Sequence, residues 1–272
     1  MGAVHGVYLK YVGLSALSYA GYSLLMSGAP DQTARSLSSA GDAMPLWKLG
    51  AAAVLGYSTI LNGAISIMFK LEKGMGMIGK DPKTGQIPTW SYVLLFPFHI
   101  PTIMYTHIHT RHGGSMKMTG PDGTVTKVPV PVASEVQPGW WVGGCYGHEL
   151  NKEWGGIVDL TVEFPERMIT KSYLSVPTWD GVPATPAQLE DAAIFAVKAR
   201  AQGDVMVHCA HGRGRSTTVM CACLVKAGLF PTWQEAFEKG IKPFRPVCKL
   251  NGLMRKALTA WQEEYVNDKK AQ

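Results

Sequence analysis

The segment Val205-Met206-Val207-His208-Cys209-Ala210-His211-Gly212-Arg213-Gly214-Arg215-Ser216 ends an apolar run in a cysteine and places an arginine six positions after it. The reactive form of cysteine is the thiolate, which nearby cations and helix N-termini favour, and the segment offers both. The apolar run reads as a buried strand, the Gly-rich stretch as a tight loop, and Ser216 to Ala227 as a helix closed by Gly228. Backbone N–H groups in front of such a helix converge on a tetrahedral anion. Ala210, His211, Gly212, Arg213 and Gly214 would line that cradle, and Arg215 would add a two-pronged guanidinium. A nucleophile in a phosphate-sized cradle implies attack on phosphorus, with a covalent intermediate on Cys209 that water releases. The Ser216 hydroxyl would stabilise the sulfur. That chemistry calls for no metal and no other cofactor.

Cleavage of a phosphate ester also needs a proton donor for the leaving oxygen. Asp180, in Pro177-Thr178-Trp179-Asp180-Gly181, lies 29 residues before Cys209 and follows the strand-like Tyr173-Leu174-Ser175-Val176. A helix from about Thr185 to Arg200 fits between them, giving a strand, loop, helix, strand crossover that brings both residues to one end of a sheet. Asp159 and Glu163, in the strand-bearing segment Gly156-Ile157-Val158-Asp159-Leu160-Thr161-Val162-Glu163-Phe164, compete as carboxylates, with loop hydrogen bonding as their expected role. His208 reads either as a packed strand-end histidine or as a tuner of Cys209. Cys145, Cys221, Cys223 and Cys248 read as structural.

His208-Cys209, Arg215-Ser216 and the upstream Asp180 resemble the cysteine-dependent protein tyrosine phosphatase superfamily, in its dual-specificity branch. Trp140-Trp141-Val142-Gly143-Gly144, Val158-Asp159-Leu160-Thr161 and Arg245-Pro246 leading to Asn251 extend the resemblance over roughly Val132 to Asp268. It implies Cys209 as nucleophile, Arg215 as phosphate clamp, Asp180 as general acid and then base, and Ser216 as thiolate partner. Its implied fold is α/β, a central mostly parallel sheet with flanking helices, over residues 132–268.

The first part of the chain is built differently. Tyr11 to Pro30 and Leu49 to Phe69 carry no charge, and each is long enough to cross a hydrocarbon core of roughly 30 Å. Small residues such as Gly50, Gly56 and Gly63 favour close helix pairing there. Spans are therefore expected over 11–29 and 49–69; read instead as a signal peptide, the first would place the thiolate in an oxidising compartment. Ile87 to Thr106, broken by Pro88, Pro97 and Pro101, reads as an interfacial segment or third span. Residues 1–110 thus form an expected membrane-anchoring region and 111–131 a linker. With two spans, Lys10, Lys70, Lys73, Lys80, Lys83, Arg111 and Lys117 share one side against Arg35 and Lys48, so the catalytic domain of this integral membrane protein is expected in the cytosol.

The net charge is +6, with 7 basic and 4 acidic residues before position 111 and 19 and 16 after it. Such mild basicity suits anionic substrates or lipid surfaces and is no nucleic-acid signature. Gly74-Met75-Gly76-Met77-Ile78-Gly79 fits the dinucleotide pattern, but it follows a membrane helix and runs into Lys80-Asp81-Pro82, so no dinucleotide site is expected. His107, His109 and His112 have no carboxylate or cysteine near them in sequence and read as interfacial. The expected function is a membrane-anchored cysteine-dependent phosphatase acting on phosphoproteins (Tyr, Ser or Thr) or on phospholipid phosphates. The alternative is a catalytically silent, phosphate-binding membrane scaffold.

Overall fold

The computed structural model describes residues 6–27, 44–112, 114–120 and 122–267. The chain divides into two units, with the boundary after Gly74.

The first unit is a pair of helices, α1 (Leu9–Ser27) and α2 (Leu46–Lys70). They run antiparallel, with Tyr11 against Phe69, the Ser15 hydroxyl donating to Thr59 O at 2.8 Å, and Gly21 facing Leu55. Small residues at the seam let the backbones approach. Among the described residues, α2 is the helix long and apolar enough to cross a bilayer. Its 25 residues extend about 37 Å. The part of the first expected span beyond Ser27 lies outside the described residues.

The second unit begins with α3 (Thr89–Leu94) and α4 (Phe96–His112). Residues 75–110, part of the expected membrane region, belong to the same compact unit as the sheet. Burial of Ile78, Ile87, Leu95 and Phe98 gives the physical reason. The expected linker is a hairpin, β1 (Ser115–Thr119) paired antiparallel with β2 (Val125–Pro129). Short alternating runs joined through Gly120 and Gly123 suit a turn better than an open tether.

The central sheet comprises β3 (Ala133–Gln137), β4 (Trp140–Gly143), β6 (Gly156–Thr161), β8 (Tyr173–Thr178) and β9 (Val205–His208), in the order β3-β4-β9-β6-β8. Between β4 and β8 the chain also forms a two-residue parallel ladder, β5 (Glu153–Trp154) with β7 (Ile169–Thr170). Within the central sheet the β3–β4 pairing is antiparallel, and β4–β9, β9–β6 and β6–β8 are parallel. The helices α5 (Pro186–Ala199), α6 (Arg215–Lys226), α7 (Trp233–Glu235) and α8 (Gly252–Gln262) complete the unit. The fold is α/β, a mostly parallel sheet with flanking helices. Thr185 caps α5 through a reciprocal bond pair with Gln188, and Pro186 fits its first turn.

β6 and β9 are buried along their whole length; β9 is apolar up to His208, whereas β6 carries the buried Asp159 and Thr161 among apolar residues. Val158, Leu160, Val205 and Val207 meet Leu189, Ala192 and Ala196 of α5 and Val219, Cys223 and Leu224 of α6 in one core. Parallel pairing sends β9 and β6 to the same sheet end, and β8 arrives there too. Leu189→Ala is expected to lower the unfolding free energy of this unit by about 2–5 kcal/mol. Urea unfolding of the full chain measures it; a loss below about 1 kcal/mol would mean that α5 is not tightly packed on the sheet.

Candidate functional site

At the end of β9 the chain turns through residues 209–214 into α6. Every carbonyl from Ala210 to Gly214 is held by a donor elsewhere in the protein. Ala210 O accepts from Cys145 N at 3.2 Å, and Arg213 O from Lys249 N at 2.8 Å. Gly214 O accepts from Thr218 N at 2.9 Å. The Arg245 guanidinium donates to His211 O at 3.2 Å and to Gly212 O at 2.8 Å. A planar trans peptide turns each following N–H opposite to its carbonyl. The N–H groups of His211 through Arg215 are therefore aimed away from these donors, into the cradle ahead of α6. Gly212 is required at φ +65°, and a Cβ there would lie 2.5 Å from the Gly143 carbonyl carbon.

Cys209 is buried, its Sγ 3.4 Å from the Ser216 hydroxyl. Burial works against its thiolate. The Arg215 cation, the Ser216 hydroxyl and the N–H groups of Ser216 and Arg213 outweigh that, so the thiol titrates below its ordinary value. Burial instead pushes Cys145, Cys221, Cys223 and Cys248 up. All five cysteines are free thiols.

Arg215 is also buried. Burial alone would discharge it, but Glu163, Asp180 and the Cys209 sulfur hold it more firmly protonated than an ordinary arginine. Its Nη2 donates to Glu163 Oε1 at 2.7 Å and its Nη1 to Leu160 O at 3.1 Å and Thr178 O at 2.6 Å. Nε is buried without a partner among the described residues, a donor of the kind that an anion in the cradle would satisfy. Asp180 follows the end of β8 with its Oδ1 3.5 Å from Arg215 Nη2 and a side chain 41% exposed. Trp179 beside it is buried edge-on against Phe98 of α4, and Asn251 Nδ2 holds Gly181 O at 2.8 Å.

The structure thus brings Cys209, Arg215, Ser216 and Asp180 to one sheet end, as the crossover argument expects. Asp159 and Glu163 are both committed to cations, Asp159 to Lys80 and Glu163 to Arg215, which leaves Asp180 as the solvent-reaching carboxylate of the three. Sequence reasoning missed Lys80, Glu166 and the outward hold exerted by Arg245. It also read His109 as interfacial, whereas its ring lies 4.7 Å from that of His211 in the loop, with Tyr105 nearby. A shallow depression next to the cradle is lined by His109, His211, Arg213 and Arg245. Only spatial proximity reveals these partners; none stands in a recognisable spacing.

His208 is a buried ring paired with two carboxylates. Its Nε2 lies 2.8 Å from Glu166 Oε2 and 3.5 Å from Asp159 Oδ1. Burial alone would discharge the ring, but the two carboxylates outweigh it and push its pKa up to about 9. Asp159, Glu166 and His208 cluster closely enough to suggest a cation site, and the Lys80 ammonium already supplies a cation there.

An unfolded histidine releases its proton near 6.5 and the folded His208 near 9. Its stabilising contribution is therefore complete below the first value and is lost as pH rises through the second. The thermal midpoint is expected to fall across that window, and His208→Gln to flatten the fall. An unchanged slope would mean that the buried imidazolium is not its source.

No family model matches this chain, and no curated protein matches it. Solved structures do. Human DUSP28 is 24% identical over 49% of this chain and 94% of its own, with a TM-score of 0.41. DUSP15 is 24% identical over 51% of this chain and 90% of its own, at 0.40. PTPMT1, solved in complex with PI(5)P, is 19% identical over 52% of this chain and all of its own, at 0.42.

Proposed function

We propose that this chain, whose second half is similar to dual-specificity phosphatases, is a membrane-anchored, cysteine-dependent phosphatase. The observation that carries the reading is the pairing of one acid-shifted thiol with a cradle of inward N–H groups and a buried arginine. Such a site holds a phosphoryl group by its three non-bridging oxygens while Sγ attacks from below. Asp180 gives a proton to the departing ester oxygen, and the phosphoryl group moves to Cys209. Asp180, now a base, takes a proton from the water that attacks the phosphocysteine, and the thiolate leaves. The Ser216 hydroxyl steadies the sulfur in both steps. Ala210, His211, Gly212, Arg213 and Gly214 are the substrate-binding loop in this reading.

The substrate is a phosphomonoester on a phosphoprotein or on a phospholipid. For the membrane part, support comes from α2 and from the outward apolar side chains of the helix pair, among them Leu17, Leu24, Leu46, Ile60 and Ile67. Lys70 ends α2 and Lys73 follows it, which supports a cytosolic side there by the excess of basic residues. A reducing compartment there keeps the thiolate usable.

Phosphate release by the purified full chain in detergent, with phosphopeptides and lipid phosphates side by side, tests this reading. Cys209→Ser is expected to abolish turnover, and residual activity above about a hundredth of wild type would exclude the sulfur as nucleophile. Asp180→Ala is expected to slow alkyl phosphates by about two to four orders of magnitude and nitrophenyl phosphate much less, since only a poor leaving group needs the proton. Equal losses would assign the acid role elsewhere.

A further inference from the structure

A buried charge network lies against the end of the strand that carries Cys209, and one member comes from a segment outside residues 132–268. The Lys80 side chain is 4% exposed. Its ammonium donates to Asp159 Oδ2 and, at 2.9 Å each, to Thr161 O and Thr161 Oγ1. An ammonium has three donors, and all three are used. Asp159 accepts further from Tyr173 Oη at 2.9 Å and from Thr161 N and Oγ1 at 2.8 Å each. Its other neighbour is His208, which leans on Glu166. Lys80 and His208 therefore set two positive charges against the two carboxylates.

The segment around Lys80 is built onto this network. Glu166 N donates to Gly85 O at 2.9 Å, and Gln86 Nε2 donates to Glu166 O at 2.7 Å. Gly85 sits at φ +68°, where a Cβ would lie 2.5 Å from Tyr173 Oη and 2.6 Å from Glu166 Cβ. Ile78 and Ile87 bury its two ends.

His208 is the residue before Cys209 in the chain, so the network lies against the strand end from which the sulfur-bearing residue departs. An uncompensated carboxylate there would oppose a thiolate. We infer that Lys80 is a positioning residue for the Cys209 nucleophile: seated on Asp159, it brings the network to zero net charge and fixes the end of β9 from which the anion-binding loop departs. The inference rests on Cys209 being the nucleophile. The groups that bear on the sulfur from the network side are His208, Asp159 on β6, Glu166 in the loop after it, Tyr173 on β8 and Lys80. From the other elements around it they are Arg215, Arg213, Arg245, Glu163, Asp180 and the thiols of Cys145 and Cys248.

The test is the rate of Cys209 alkylation by iodoacetamide as a function of pH, read peptide by peptide by mass spectrometry on the full chain in detergent. The pH profile of phosphate release is followed in parallel. Lys80→Met is expected to raise the alkylation midpoint by about half a pH unit or more, and Asp159→Asn to lower it by a similar amount. The double variant should return within about 0.2 of wild type, since the charges again balance. Lys80→Arg keeps the charge and should keep the midpoint.

If Lys80→Met does not fold, Asp159→Asn and the double variant carry the test by the same signs. A midpoint unmoved in Lys80→Met, or both single variants shifting in one direction, would overturn the inference and leave Lys80 a packing residue. Midpoints that follow the charges in a protein without phosphatase turnover would refute the proposed reaction, and with it the nucleophile role, while still showing that Lys80 and Asp159 set the charge felt by the Cys209 thiol.

Discussion

The site depends on the outward tethering of five consecutive carbonyls, Ala210 to Gly214. A free loop of this composition would satisfy its N–H groups locally or with water. Here the Cys145 and Lys249 N–H groups, the Arg245 guanidinium and the first turn of α6 occupy the carbonyl side, so the N–H groups have the cradle alone. Arg245 does the most. Its Nη1 also donates to Pro131 O at 3.1 Å and Ser134 Oγ at 3.0 Å, so one buried cation joins the loop to the chain entering β3. Such charge-assisted bonds are the strong ones.

Charge is then layered around the sulfur. Arg215 meets Glu163 and Asp180 on one side, and His208 meets Glu166 and Asp159 on the other. Fully paired buried charges hold fixed positions, whereas removing one partner leaves an uncompensated ion. Neither layer makes the site generally positive. Each instead holds a cation, Arg215 or His208, in a fixed position, and it is Arg215, with the Ser216 hydroxyl and the loop N–H groups, that favours a thiolate where burial alone would oppose one.

Much of this was legible in the sequence because it is local. The strand Val205 to His208, the Gly-rich turn and the helix after Ser216 lie within one continuous stretch, and a single crossover of fixed hand carries Asp180 to the same end. What escaped is long-range. Lys80 and Asp159 are 79 residues apart, and Arg245 reaches Gly212 across 33. Nothing in the periodicity around Gly74 to Lys80 distinguishes a tether from a strap, so the sequence predicts a unit boundary near residue 110, whereas the boundary falls after Gly74. The mouth-lining role of His109 escaped for the same reason: an apolar, proline-broken segment reads as interfacial until Phe98 and His109 are seen against Trp179 and His211.

The central claim is that the phosphoryl group passes through sulfur. Asp180→Ala mixed with nitrophenyl phosphate should accumulate the intermediate, because loss of the phenolate needs little help while hydrolysis lacks its base. Rapid denaturation and peptide mass spectrometry are predicted to find a phosphate on Cys209, absent when Cys209 is also serine. Turnover with an unmodified Cys209, or a phosphate carried on any other residue, would contradict the account.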